Sequence, residues 1–98
     1  VDFRLIFQPE AKGQLEQLHK SPDLAARLKA VTKCLGYLQT NPRHPGLNTH
    51  KYSDMTGPRG EIVFEAYAQN RTPGAYRVFW CYGPDASEIT ILAITPHP

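Results

Sequence analysis

Three runs in the last third of the chain decide the fold: Glu61-Ile62-Val63-Phe64-Glu65-Ala66-Tyr67-Ala68-Gln69, Ala75-Tyr76-Arg77-Val78-Phe79-Trp80-Cys81-Tyr82 and Glu88-Ile89-Thr90-Ile91-Leu92-Ala93-Ile94-Thr95. Each is short, and the last two are rich in the β-branched and aromatic residues that suit a pleated, half-buried surface. Asn70-Arg71-Thr72-Pro73-Gly74 joins the first two, and Gly83-Pro84-Asp85 opens the link to the third. Both connections carry turn chemistry, so an antiparallel meander is the simplest topology.

Upstream, residues 41–60 read Asn-Pro-Arg-His-Pro-Gly-Leu-Asn-Thr-His-Lys-Tyr-Ser-Asp-Met-Thr-Gly-Pro-Arg-Gly. So many helix and strand breakers predict one long loop, and long loops in small domains are usually functional. Before it, Leu24, Leu28, Val31, Leu35 and Leu38 recur at alternating spacings of four and three, the stripe of an amphipathic helix. Ser21 suits its N-cap, and Asn41-Pro42 ends it, because proline disfavours a helical residue before it and cannot extend the hydrogen-bond ladder. A shorter helix is predicted from Pro9 to about Lys20, with Pro9 in the first turn and a thin stripe of Leu15 and Leu18 weakened by Gly13. Val1, Phe3, Leu5 and Phe7 alternate with Asp2, Arg4 and Ile6, which predicts an opening strand.

The predicted order is therefore β-α-α-β-β-β. It gives a two-layer α+β fold, with two N-terminal helices packed on one face of a mainly antiparallel four-stranded sheet. No element remains to cover the opposite face, and function is expected there.

Ninety-eight residues allow one domain, residues 1–98, with one small core. Apolar residues at 41% and charged residues at 20% exclude a disordered segment. Eleven Lys and Arg against nine Asp and Glu leave a net +2, too little to announce a nucleic-acid binder. The charge is uneven, however. Residues 1–40 hold six basic and four acidic side chains, 41–60 three and one, and 61–98 two and four, so the predicted loop is the basic segment. Two cysteines, Cys34 and Cys81, exclude a zinc ribbon or a dense disulfide scaffold and read as buried thiols in a reducing compartment. No long apolar run or charged-then-apolar leader is present, so a cytoplasmic protein without membrane contact is expected. The chain begins on Val1 rather than Met, which leaves room for residues upstream. Glycine-rich phosphate loops, a nucleophile elbow and short metal-ligand spacings are all missing, so neither a small-molecule cofactor nor a metal is expected.

On the uncovered face, alternation groups Val63, Glu65, Tyr67 and Gln69, and it groups Arg77 with Phe79 and Cys81. Arg77 then stands beside Glu65 and Tyr67. The plain reading of Arg77 and Glu65 is a solvated cross-strand ion pair worth ~0.2–1 kcal/mol. His19 fits a structural role at a helix C-terminus. His44 and His50 in the loop and His97 after the last strand are expected to converge on the rim of the face. Imidazole, carboxylate, phenol and guanidinium together suit general acid–base chemistry on a phosphodiester. If the substrate is RNA, as the family resemblance described below implies, Lys51, Arg43, His44 and Arg59 would give the loop its contact with it. The aromatics Tyr76, Phe79, Trp80 and Tyr82 read mostly as core, with room among them for a base-stacking platform.

Chain order and motifs together resemble the RelE/ParE superfamily of toxins from bacterial toxin–antitoxin modules over nearly the whole chain. The resemblance is carried by Asn41-Pro42 closing the second helix, by Lys51-Tyr52 with Gly57, similar to a Lys-Leu-x-Gly-type segment, and by Tyr76-Arg77-Val78-Phe79-Trp80. An acidic turn and the Ile/Val-rich strand Ile89–Ile94 follow, as in the family. In the RelE-like branch this resemblance implies a metal-independent ribonuclease that cuts messenger RNA on the ribosome, with a strand arginine on the scissile phosphate. Arg77 matches that arginine, and His97 falls near a position that supplies a further catalytic group. Glu65 and Tyr67 stand where well-known members carry basic residues, while other members use a carboxylate or histidine base. The implied roles are Glu65 or His50 as base, His97 as acid, Arg77 as phosphate ligand, and Tyr67 as a positioning group or proton donor. The implied partner is a cognate antitoxin whose segment covers the sheet face or the helices. A ParE-like gyrase inhibitor and a catalytically silent interaction domain are the alternatives within the same fold. The final helix of some members has no counterpart after the last strand.

Overall fold

The computed structural model describes residues 2–98. Strand β1 (Arg4–Phe7) leads into helix α1 (Pro9–His19), a 3₁₀ turn at Pro22–Leu24, and helix α2 (Ala25–Thr40). A second 3₁₀ turn (Pro45–Leu47) precedes β2 (His50–Thr56), β3 (Ile62–Tyr67), β4 (Tyr76–Tyr82) and β5 (Glu88–Pro96). Val1, expected on the apolar side of the first strand, lies outside the described residues. The sheet runs β1-β5-β4-β3-β2, with β1 parallel to β5 and every other pair antiparallel. The two-layer α+β architecture is as expected, but the sheet has five strands rather than four.

The extra strand is β2, inside the stretch expected to be one long loop. It is an edge strand, so it tolerates Ser53 and Asp54 facing water. Its period is also hidden. Between the pairs Lys51↔Phe64 and Thr56↔Ile62, β2 takes five steps where β3 takes two. The resulting bulge brings Tyr52 and Met55, three residues apart, to one apolar cluster.

The helices form as their sequence dictates, with Pro9 in the first turn of α1 and the Asn41 N–H bonded to Tyr37 O at the end of α2. Ser21 is corrected from N-cap of α2 to closing group of α1: its hydroxyl donates to Gln17 O at 2.8 Å, and the 3₁₀ turn intervenes before α2. Ala11 and Leu18 of α1 and Val31, Cys34, Leu35 and Leu38 of α2 bury against Ala66, Val78, Trp80, Ile89, Ile91 and Ile94 of the sheet. The three isoleucines share this face although their spacing is two and then three. A bulge makes this possible: Phe79 pairs with Ala93 and Trp80 with Ile91, so Leu92 is left over. Beside the bulge, the Ile94 N–H is satisfied by Gln14 Oε1 of α1 at 2.6 Å.

The face away from the helices is not simply a solvated polar surface. Its centre is a second apolar cluster of Val63, Phe79, Cys81, Leu92 and Ala93, flanked by Tyr52 and Met55. The Tyr52 ring on β2 lies 4.7 Å from that of Phe79 on β4, reaching across β3 and covering part of this face. Gly57, at the turn into β3, shows why the Lys51-Tyr52…Gly57 segment ends on glycine: a Cβ there would meet Glu61 Oε1 at 2.6 Å.

The two thiols belong to different layers, Cys34 in the helix-side core and Cys81 in the second cluster, and both are free and buried. Burial pushes the Cys34 thiol up to about 12, so no thiolate is available at neutral pH. Native protein is therefore expected to give no colour with Ellman's reagent and to titrate both thiols once unfolded in urea. Rapid labelling of the native chain would show that one of the two clusters opens. Among the described residues, no helix is long and apolar enough to cross a membrane.

Candidate active site

Register places the chemistry. Tyr67 pairs with Arg77 across β3–β4, and His50 pairs with Glu65 across β2–β3. Residues directly opposite share a face, so His50, Glu65, Tyr67 and Arg77 gather on the helix-free side, beside the second apolar cluster. Arg77 Nη1 donates to Glu65 Oε2 at 2.7 Å, and the two side chains are only 12% and 9% exposed. This corrects the expectation of a solvated pair: both side chains are largely out of water, beside the Phe79 ring. The guanidinium also lies over the Phe79 ring, 4.8 Å from its centroid, and Arg77 Nε is buried without a partner. Glu65 thus occupies one arm of the fork, and the group retains donors for a second anion.

His50 is exposed and meets Tyr67 edge-on, with ring centroids 6.1 Å apart. Burial raises the Tyr67 phenol above its ordinary value, the Glu65 carboxylate raises it further, and Arg77 offsets part of the effect. At neutral pH Tyr67 is therefore a hydrogen-bond donor and not a base. The raised value also fixes a sign. Stability linked to Tyr67 is complete below the ordinary phenol value of about 10 and is lost as pH rises through the folded-state value. Tyr67→Phe should consequently lose less stability than the parent between neutral and strongly alkaline pH, as read from urea midpoints. Parallel pH profiles for the two proteins would show that the phenol is not perturbed.

His97 joins from the end of β5. Its backbone N–H donates to Ala75 O at 2.7 Å, and its exposed ring shares a shallow depression of about 380 Å³ with Tyr67, Gln69 and the 70–74 loop. That loop is held by Arg27 of α2, which donates to Gly74 O at 2.8 Å, Gln69 Oε1 at 3.0 Å and Pro73 O at 3.1 Å. Gly74 sits at φ 67, where a side chain would be strained. Arg27 carries no signal in the sequence, and Gln69 stands there only as the last member of the alternation that begins at Val63. Their partners lie 42 to 47 residues away, and no local pattern announces them.

The remaining candidates lie elsewhere. His44 does not join the other imidazoles: it stacks on Tyr37 of α2 at 4.1 Å, and its Nδ1 accepts the Gly46 N–H, so it caps the second 3₁₀ turn. Arg59 is bound to Glu61 through its backbone N–H at 2.7 Å and Nη1 at 3.3 Å, at the opposite end of β3 from Tyr67. Lys51, opposite Phe64, belongs to the alternate set from His50. Arg43 follows α2 in a groove with Phe64 and Trp80 on the helix side. His19 is an exposed residue in the last turn of α1, as expected.

No protein-family model matches the chain, and no curated protein matches its sequence. Solved structures do match. The chain is similar to a YoeB/ParE toxin from Agrobacterium tumefaciens, with a TM-score of 0.71 at 7% identity over 98% of this chain and 100% of that one. It is similar to an archaeal RelE–RelB complex from Pyrococcus horikoshii OT3, with a TM-score of 0.65 at 16% identity over 98% and 96% of the two chains. A YoeB–YefM complex from Staphylococcus aureus gives a TM-score of 0.63 at 16% identity over the full length of both. At such identities the likeness is one of fold, and the fold is that of the RelE/ParE toxins.

Proposed function

We propose that this chain, built on the RelE/ParE toxin fold, is the toxin of a toxin–antitoxin module and an endoribonuclease that cuts messenger RNA by metal-independent acid–base catalysis. The observation that carries this reading is the buried Arg77–Glu65 pair at 2.7 Å, bordered by His50 and Tyr67 on a sheet face that no helix covers. Arg77 binds the scissile phosphate and stabilises charge growing on its oxygens. Glu65, nearly buried and engaged with Arg77, orients the guanidinium. His50, exposed beside it, takes the proton of the ribose 2′-hydroxyl. The 2′-oxygen attacks phosphorus, the bond from phosphorus to the 5′-oxygen breaks, and His97 protonates that leaving oxygen. The products are a 2′,3′-cyclic phosphate and a free 5′-hydroxyl. Tyr67, protonated at neutral pH, donates a hydrogen bond within reach of the same centre.

The partner in this reading is an antitoxin segment that covers the sheet face or the helices, as the RelE–RelB and YoeB–YefM complexes suggest by analogy. The test is to add purified protein to translating ribosomes and map RNA ends. New ends bearing cyclic phosphate are the expected result. Intact RNA together with inhibited gyrase supercoiling would replace this reading with a ParE-like binder, and neither effect would leave a silent interaction domain.

A further inference from the structure

The aromatic residues of β4 that face away from Arg77 are not all absorbed by the core. Past the end of α2, Pro42, Arg43, Thr49, Phe64, Trp80 and Tyr82 line a groove of about 490 Å³. The Phe64 and Trp80 rings lie 4.9 Å apart and 28° from parallel, and Tyr82 meets both edge-on at 5.9 and 4.9 Å. Tyr82 is 40% exposed although the strand around it is buried. Among the residues of its lining, two buried hydrogen-bonding atoms, Trp80 Nε1 and Thr49 Oγ1, have no partner among the described residues. Its lining has one cation and no carboxylate, and the exposed Lys51, opposite Phe64 in the ladder, adds a second cation at the edge.

We propose that this groove binds one base of a single-stranded RNA together with its phosphate. The identity of the ligand rests on the ribonuclease reading, and the site itself is separate from the catalytic face. A flat ring can stack on one aromatic wall and meet the other edge-on. Stacking of this kind accepts any base, because every base has a π-face. The exposed wall of this kind is Tyr82, with the half-buried Phe64 beside it. The exposed Arg43 and Lys51 match its phosphodiester, whereas an apolar peptide would leave both cations unanswered. Thr49 in the groove directly precedes His50 of the catalytic face, so groove and face lie on the two sides of one edge strand. A single strand turning round β2 meets both, which makes the groove a binding subsite for a nucleotide close to the one that is cut.

The chain has a single tryptophan, Trp80, in the groove itself, so its fluorescence reports occupancy. Intact protein would be titrated with short 2′-O-methyl oligoribonucleotides, which bind but have no free 2′-oxygen for the attack. Saturable quenching is expected, and Arg43→Glu and Tyr82→Ala should each weaken it by about tenfold or more, while His19→Ala, at the exposed end of α1, leaves it unchanged. Absence of saturable quenching, or equal quenching in the Arg43→Glu and Tyr82→Ala variants, would overturn the site. Quenching by an acidic apolar peptide but by no oligonucleotide would do the same. The outcomes separate the two ideas: RNA cleavage without quenching removes the groove alone, and Arg43-dependent quenching without cleavage removes the ribonuclease alone.

Discussion

Glu65→Ala is expected to cost ~3–5 kcal/mol of folding stability, and Arg77→Ala about as much, because each leaves the other charge buried and unpaired. The estimate follows from exposures of 9% and 12% at a separation of 2.7 Å. A surface pair of the same residues would be worth ~0–1 kcal/mol. In a domain whose total stability is of the order of 5–15 kcal/mol, either single change removes a large share. The double change Glu65→Leu with Arg77→Met should recover most of the loss, since well-packed apolar replacements of a buried pair are often neutral. Urea unfolding of the parent, the two single variants and the double variant measures each cost. Single variants that each cost under ~1 kcal/mol would show the pair to be solvated. The double variant has a second use. It should be folded and, on the role proposed for Arg77 at the phosphate, fail to cleave, which isolates chemistry from stability.

How far the sequence reveals this site depends on which physical signal each residue carries. Glu65, Tyr67 and Arg77 are legible because β3 and β4 keep a clean period of two and an unbroken register between them. The helices are legible because Pro9 and Asn41-Pro42 mark two of their ends and the leucine stripe of α2 has one consistent spacing. Strand β2 is not legible, because its bulge breaks the alternation and its edge position removes the need for apolar residues. The burial of the Arg77–Glu65 pair is hidden for a related reason. It depends on side chains from several strands packing around the pair, Phe79 of β4 among them, and not on any one window of sequence. The bulge at Leu92 is equally hidden, since Ile89, Ile91, Leu92, Ala93 and Ile94 are all apolar and any register would bury some of them. His44 and His50 look alike as loop histidines. The difference is tertiary, a Tyr37 ring beneath one and a Glu65 partner strand beside the other.

His97→Ala is expected to lower RNA cleavage by ~10²–10⁴ while changing stability by no more than about 0.5 kcal/mol, since the side chain is exposed. A loss of that size has more than one origin, and the leaving group separates them. If His97 protonates the departing 5′-oxygen, a substrate with sulfur in place of that oxygen needs no proton donor, and the variant should cut it nearly as fast as the parent does. His50→Ala should be equally damaged on both substrates, because the 2′-proton must still be removed. Rescue of His50→Ala by the sulfur substrate would exchange the two roles. Losses of only a few-fold in both variants would mean that neither imidazole takes part in proton transfer. Arg77 would then act with water alone on the phosphate, and the acid–base scheme would fall even if cleavage itself is observed.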